Sequence, residues 1–363
     1  MKVAFLFGNG FDIQSGLKTN YTSFYEYILK EKYGFDIELD SVDNYELEEQ
    51  TKNIDNLIYK EIALSKDNIN TWADLEVQLG LLTYKINPEE GQKFLDDFID
   101  LNIDLSDYLE MQQLDETDDI GDTSNLVEHM LNNFHSELRP KELGRVKKLL
   151  LKPGSINVNF ISFNYTNTLS LILKKCNAKV FKNQFNKNYN MVLPKSVIHA
   201  HGRIGNMPTL GLNDESQFNS EIFDKEEVMH LMKPKSLDLN REVFKSDTIN
   251  ALKDSSIINV FGMSVGVTDK YWWNQIAEVL LGNSERILII HEYSDMPNSN
   301  SSLQVSRKRR IIENKFLQNL EIETKQKAKL KNQILVCYRN EHMLNMDFKS
   351  LNRTENNKLK QTI

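Results

Sequence analysis

The sequence predicts an α/β protein with a mostly parallel sheet and a large helical insertion. Three features predict it: an apolar strand at the amino terminus that ends in glycines, a long stretch without strands, and a later alternation of apolar runs with helical patterns. We therefore divide the chain into an α/β domain (1–35 and 151–340), a helical insertion (36–150) and a polar carboxyl-terminal tail (341–363).

The first strand leads through glycines into a helix. The apolar run Val3–Phe7 predicts a buried parallel strand, and Gly8-Asn9-Gly10-Phe11-Asp12 and then Ser15-Gly16 follow it. Glycines would let the backbone approach a phosphate, with exposed N–H groups as donors. The dinucleotide fingerprint G-x-G-x-x-G requires a third glycine at position 13, where Ile13 stands. A phosphate-binding loop and a tight structural turn are both compatible with this segment.

Composition describes a globular protein of a reducing compartment. The 363 residues are 40% hydrophobic and 26% charged, and no apolar run reaches the length of a membrane span. We expect no secretory signal and a cytoplasmic location, because Cys176 and Cys337 are the only cysteines. The net charge of −8 argues against nucleic acid as a partner. The basic cluster Arg307–Arg310 is typical of a solvated helix face.

A helix is predicted from Thr19 to about Lys32, with Thr19 as its cap and Gly34 as its end. The insertion follows, and we expect its acidic segment Asp115–Asp122 to form an exposed loop.

One helix of the insertion allows two interpretations. Thr71 and Asp74 form a variant of the capping box, and Leu75, Leu79 and Leu82 share one helix face. Caps and core packing, with a buried Trp72, account for these residues and are favoured. Alternatively, Glu76 is presented to a pocket.

Five further apolar runs predict strands of the same sheet. They are Ile156–Phe163, Val197–Ala200, Ile257–Phe261, Ile287–Ile290 and Ile334–Tyr338.

Polar residues and glycines follow several of these strands where ligands bind in open α/β sheets. They are Asn164-Tyr165-Thr166-Asn167, His201-Gly202, and Gly262-Met263-Ser264 with Asp269. Each has a structural alternative: Asn164 can turn the backbone, His201 can end a strand, and Gly262 with Ser264 can form a simple turn. His199 should share a face with His201, but no cluster of further ligands accompanies the pair, so we predict no metal.

These motifs together resemble the bacteriophage abortive-infection AbiH family. The resemblance rests on the glycine loop with Ser15-Gly16-Leu17-Lys18-Thr19, on Trp72-x-Asp74-Leu75-Glu76, on Ser162–Asn167, on His199-x-His201-Gly202 and on Gly262-x-Ser264. The same order of motifs is similar to a divergent, Rossmann-like sirtuin fold that binds NAD.

The resemblance implies roles for individual residues. Its cofactor-binding residues would be Gly8, Asn9, Gly10, Phe11, Asp12, Ser15, Gly262, Ser264 and Asp269, with Asn164 and His201 as catalytic residues and Glu76, Thr166 and His199 as further pocket residues. Gly8 to Phe11 would contact the pyrophosphate and ribose, Asp12 would fix the loop, and Gly262 with Ser264 would hold the adenosine. Asn164 would face the nicotinamide ribose. Sirtuins have aspartate where Thr166 stands, and they carry a zinc module that is missing here, so protein deacetylation is not expected.

These residues suit hydrolysis of NAD, which is the substrate, to nicotinamide and ADP-ribose. An amide at Asn164 would position ribose or water, and the His201 imidazole would accept a proton near neutral pH. We expect an antiphage NAD hydrolase that assembles as a homo-oligomer and responds to a phage-derived trigger or an accessory protein.

Two other functions remain open. One is a sensor that binds NAD or ADP-ribose without chemistry and works with a partner effector. The other is an effector that targets nucleic acid, which the acidic charge disfavours.

Overall fold

The computed structural model describes residues 1–69, 72–114, 120–205, 210–240, 242–293 and 302–338. These residues contain eight strands and fifteen α-helices. The strands are β1 (Lys2–Phe7), β2 (Ile156–Ser162), β3 (Val180–Asn183), β4 (Asn186–Val192), β5 (Ile198–His199), β6 (Ile257–Phe261), β7 (Ile287–Glu292) and β8 (Ile334–Tyr338).

The helices before β2 are α1 (Asn9–Gln14), α2 (Tyr21–Tyr33), α3 (Asn44–Thr51), α4 (Leu57–Leu64), α5 (Trp72–Leu82), α6 (Gly91–Gln112), α7 (Ser124–Asn133) and α8 (Pro140–Leu150). The helices after β2 are α9 (Thr168–Lys175), α10 (Lys225–Leu231), α11 (Lys233–Asn240), α12 (Glu242–Lys253), α13 (Lys270–Leu281), α14 (Ser302–Gln318) and α15 (Thr324–Leu330).

The strands form one mostly parallel sheet with β1 near its centre. The order is β3-β4-β2-β1-β6-β7-β8, β5 pairs with β2, and only the β3–β4 pair is antiparallel. Val3 lies opposite Val158 of β2 and Ile257 of β6, which aligns the carboxyl ends of these three strands. The predicted α/β class with a mostly parallel, Rossmann-like sheet is confirmed.

Helices cover both faces of the sheet because β1 is apolar on both sides. Phe5 and Phe7 pack in a core with residues of α7 and α8, and the Phe5 and Phe134 rings lie 5.2 Å apart. Ala4 and Leu6 face the opposite core, which includes Trp273 of α13. A strand buried on both faces reads as a continuous apolar run, which is why the sequence identifies it.

Two strands were not predicted from the sequence. β3 and β4 form an antiparallel hairpin at the edge of the sheet, and β4 is polar and mostly solvent-accessible. The predicted cap of α2 was also wrong: Asn20, not Thr19, accepts the backbone N–H of Ser23, because Thr19 is bound to Asn9. Gly34 ends α2 with a φ of +72°, as predicted.

Between 36 and 150 the described residues form helices and no strand. α2, α4 and α6 share a core around Tyr25 and Tyr59, whereas α7 and α8 pack on the sheet. The division into domains stays a prediction. Thr71, residues 115–119 of the acidic segment and the tail 341–363 lie outside the described residues.

The predicted solvated basic face is present on α14. Arg307, Lys308 and Arg310 are exposed, and Arg309 donates to the carbonyl of Glu137. Within the described ranges, no helix combines the length and apolarity that a membrane span requires.

Candidate functional site

Three glycines bring the carboxyl ends of β1 and β6 into backbone contact. A Cβ on Gly8 would lie 2.7 Å from the Gly262 carbonyl oxygen, and one on Gly10 would lie 2.7 Å from the Gly262 Cα. Gly262 has a φ of +67°, and a Cβ there would lie 2.6 Å from the backbone nitrogen of Phe11. Only glycine fits these positions without displacing the backbone.

Three backbone N–H groups of this turn donate to carbonyls within the protein. Gly8 donates to the Phe261 carbonyl at 2.9 Å, Gly10 to the Gly262 carbonyl at 2.8 Å, and Phe11 to the Gly8 carbonyl at 2.9 Å. A phosphate-binding loop, one of the two interpretations of this segment, would leave these donors open to a phosphate. Instead, the glycines serve the close approach of two strand ends, and their role in binding a cofactor stays a prediction.

Asn9 and Trp72 hold the segment between α1 and α2 in place. The Asn9 side-chain oxygen accepts the Thr19 hydroxyl at 2.6 Å, and its amide donates to the Thr19 carbonyl at 2.9 Å. The Trp72 indole N–H donates to the same carbonyl at 2.8 Å. Helix α5 is thereby attached to the glycine turn.

A cavity of about 310 Å³ lies at this edge of the sheet. It is lined by eleven of the predicted site residues: Gly8, Asn9, Gly10, Asp12, Glu76, Asn164, Thr166, His201, Gly262, Ser264 and Asp269. The carboxyl ends of β1, β2 and β6 therefore converge with α5 of the insertion on one concave site, which is where open α/β sheets bind ligands.

Three predicted site residues do not line the cavity. Phe11 is buried against Phe7 in the core, and the Ser15 hydroxyl donates to the Phe11 carbonyl at 2.8 Å. His199 contacts the Ser170 hydroxyl at 2.9 Å, and burial together with the charge of Arg203 lowers its pKa to about 4. His199 is therefore a neutral core residue at neutral pH.

Asp12 is a buried carboxyl group beside the cavity. Its Oδ2 accepts the Thr166 hydroxyl at 2.6 Å, and its Oδ1 has no hydrogen-bond partner among the described residues. Burial raises its pKa to about 6, although the hydrogen bond to Thr166 opposes the shift. Asp12 therefore changes protonation closer to neutral pH than an ordinary aspartate does.

Asn164 and His201 lie on the cavity with defined partners. The Asn164 amide donates to the Gly8 carbonyl at 3.0 Å, which connects the end of β2 to the glycine turn. The His201 Nε2 accepts the Trp272 indole N–H at 3.1 Å and lies 3.7 Å from Asp269 Oδ1. Because Nε2 accepts a hydrogen bond, the neutral ring carries its proton on Nδ1.

Glu76 and Asp269 enclose a lysine that the sequence analysis did not single out. The Lys233 ammonium lies 2.6 Å from Glu76 Oε1, 2.7 Å from Glu76 Oε2 and 3.7 Å from Asp269 Oδ1. Burial raises the pKa of Glu76 to about 7 despite this neighbour. Burial also acts to lower the pKa of Lys233, but the charges of Glu76 and Asp269 outweigh it and raise that pKa.

Comparison with protein families identifies the family to which this chain belongs. The family described as "Bacteriophage abortive infection AbiH" matches residues 4–291, a span that includes every residue lining the cavity. The chain belongs to the AbiH family. The family predicted from the motifs is confirmed, and the role of this AbiH chain is in bacteriophage abortive infection. A comparison with curated proteins finds no match.

Helix α5 of the AbiH chain contributes directly to the site. The face Leu75, Leu79 and Leu82 is buried as predicted, but Trp72 and Glu76 of the same helix line the cavity. Helix capping and packing alone therefore do not account for this motif. Among the described residues, no group of three or more His, Cys, Asp or Glu side chains is placed to hold a metal ion.

Proposed function

We propose that this AbiH chain hydrolyses NAD, releasing nicotinamide and ADP-ribose, as its contribution to abortive infection. The observation that carries the proposal is the meeting of Asn164, His201 and the Gly8–Gly10 turn around one cavity. An amide and an imidazole at the carboxyl ends of parallel strands suit a ligand that carries a ribose.

The cavity lining fits the nicotinamide riboside part of NAD. Its volume of about 310 Å³ is near the lower end of the range for small-molecule sites. Phe163, Tyr165 and Trp72 supply aromatic surface for a flat ring. Asp12 Oδ1 and Asp269 Oδ1 are buried without hydrogen-bond partners among the described residues, and they suit a ligand with hydroxyl and carboxamide donors.

Little acid assistance is needed because oxidised NAD supplies a cationic nicotinamide, which leaves as a neutral molecule. The protein has to hold the ribose and orient a water molecule, which is catalysis by positioning. Asn164 is fixed by its bond to Gly8, and His201 by its bond to Trp272. Both side chains are therefore rigid groups that would position the ribose and the water.

The test is NAD consumption by the purified protein, with and without extract of phage-infected cells, and with nicotinamide and ADP-ribose quantified. We expect Asn164→Ala and His201→Ala each to lower turnover at least about 100-fold, since misplacing a reacting group by about 1 Å costs that much. His199→Gln is the matched control, because His199 does not line the cavity, and it should retain turnover. Equal turnover in the wild type and both alanine variants would reject these roles, and absence of turnover under both conditions would reject the activity.

A second candidate is a sensor that binds NAD or ADP-ribose without chemistry. It is favoured by one observation, since the Asn164 amide and the His201 Nε2 already have partners within the protein. Calorimetric binding of NAD without turnover, also in the presence of infected-cell extract, would support the sensor.

A further inference from the structure

The wall of the cavity contains a buried cluster of three charged groups. Glu76 and Lys233 are 2% and 7% exposed, and Asp269 completes the cluster. Glu76 also accepts the Gly211 backbone N–H at 3.4 Å. Among the described residues, the charged groups that face Glu76 are Lys233 and Asp269, with the Thr268 hydroxyl beside them.

Three distant parts of the chain build this cluster. Glu76 comes from α5 of the insertion, Lys233 from the start of α11, and Asp269 from the segment between β6 and α13. All three residues line the cavity, and Asp269 connects them to His201. The cluster is therefore part of the cavity wall rather than a surface ion pair.

Stability alone does not explain why a charged pair is buried here. Removing two charges from water costs several kcal/mol, and apolar residues of similar volume are often at least as stabilising. Charged groups buried at a cleft are candidates for function for this reason. Burial raises the pKa of Glu76 to about 7, so that both its protonated and its ionised form are accessible near neutral pH.

His201 is poorly arranged to accept a proton at Nε2. A general base needs a free lone pair, and the lone pair of the His201 Nε2 already accepts the Trp272 indole N–H at 3.1 Å. Glu76 differs because an ionised carboxylate has about four acceptor sites on its two oxygens. Lys233 contacts both oxygens and the Gly211 N–H donates to Oε1, which leaves an acceptor site on the carboxylate beside the Thr268 hydroxyl.

We propose that Glu76 is the general base of this site, an inference that rests on the proposed NAD hydrolysis. Glu76 takes one proton from the attacking water while the water oxygen bonds to C1′ of the ribose. The bond from C1′ to the nicotinamide nitrogen breaks, and its electron pair neutralises the positive charge of the ring. The proton on Glu76 then passes to solvent. Lys233 and Asp269 position the Glu76 carboxylate, and His201 orients the ribose or the water.

Azide separates this role from a structural one. Azide is an anion that attacks C1′ without being deprotonated, so it needs no general base. A variant that lacks the base should therefore regain NAD cleavage when azide is added. We expect Glu76→Gln to lower hydrolysis at least about 100-fold, which is within the usual range for general base catalysis. NAD binding, followed by tryptophan fluorescence because Trp72 lines the cavity, should stay within about threefold of the wild type. Azide should then restore cleavage and yield ADP-ribosyl azide.

Glu61→Gln is the matched control. Glu61 is also buried and paired with a lysine, at 2.5 Å from Lys85, but it does not line the cavity. Its variant should hydrolyse NAD at the wild-type rate. Because Glu76→Gln leaves Lys233 buried without its nearest charged partner, the double variant Glu76→Gln/Lys233→Met is measured as well. It removes both charges and should show the same loss and the same azide rescue.

The outcomes are distinguishable. Wild-type hydrolysis in either Glu76 variant, or a loss that azide does not restore in a folded variant that still binds NAD, would overturn the role of Glu76 alone. If neither Glu76 variant folds while Glu61→Gln does, Glu76 is structural and the proposal is overturned. Absence of NAD turnover in the wild type would overturn the proposed function together with this inference.

Discussion

Replacing Gly262 with alanine should destabilise the protein by about 2–5 kcal/mol. The residue has a φ of +67°, and a side chain in this left-handed conformation costs roughly 1–2 kcal/mol. The added Cβ would also lie 2.6 Å from the Phe11 backbone nitrogen and 2.9 Å from the Gly10 Cα. These are backbone atoms that cannot rotate away, so overpacking adds about 1–3 kcal/mol.

Gly34→Ala is the control that isolates the packing contribution. Gly34 has a nearly equal φ of +72°, but a Cβ there would meet no atom within 4 Å. We therefore expect the free energy of unfolding of this variant to fall by only about 1–2 kcal/mol, which is the cost of the backbone conformation alone. Urea denaturation of both variants gives the two free energies of unfolding. Equal losses would refute the claim that close approach of β1 and β6 requires glycine. Because the two strand ends also line the cavity, NAD binding should weaken in Gly262→Ala and stay unchanged in Gly34→Ala.

Two further predictions concern buried titratable groups. Thr166→Val removes a buried hydrogen bond to Asp12 and should cost about 1–3 kcal/mol. The pKa of Asp12 is about 6 in the folded protein, so Asp12 is mostly ionised at pH 8 and mostly protonated at pH 5, and the Thr166 hydroxyl stabilises the ionised form. The free-energy cost of Thr166→Val should therefore be larger at pH 8 than at pH 5. The stability of Thr166→Ser should stay close to that of the wild type at both pH values. Folding lowers the pKa of His199 from 6.5 to about 4, so between these pH values the unfolded chain binds a proton that the folded chain does not. The free energy of unfolding therefore falls as the pH drops from about 6.5 to about 4. The stability advantage of the wild type over His199→Gln should shrink over this range by up to about 3 kcal/mol in denaturation curves, and a constant difference would contradict the assignment.

The central strands could be predicted because burial on both faces requires apolar residues at consecutive positions. β1, β6 and β7 are packed on both faces, so they read as continuous apolar runs. β4 (Asn186–Val192) lies toward the sheet edge with four asparagine or lysine residues, and its pairing with β3 depends on a hairpin rather than on composition. Propensity gives little information for such a strand.

The site residues that follow strands could be predicted from the sequence. The site residues that come together from distant segments of the chain could not. Asn164, His201 and Gly262 follow strands, and the rule for open α/β sheets places them at one edge. Lys233 lies in a stretch without strands, and its partner Glu76 is 157 residues away in the chain. No local pattern marks such a pair. The hydrogen bonds of the glycine turn were unpredictable for the same reason, since Gly8 and Gly10 donate to carbonyls of the segment around Gly262.

An experimental structure with NAD bound tests the central claim most directly. We predict ligand density in the cavity above the Gly8–Gly10 turn, with the nicotinamide ribose between Asn164, His201 and Glu76. Hydrolysis during the experiment would leave ADP-ribose in the same place, and the Asn164→Ala variant, if it slows hydrolysis as expected, keeps the dinucleotide intact. Density at another surface, or an empty cavity at saturating NAD in both proteins, would contradict the account.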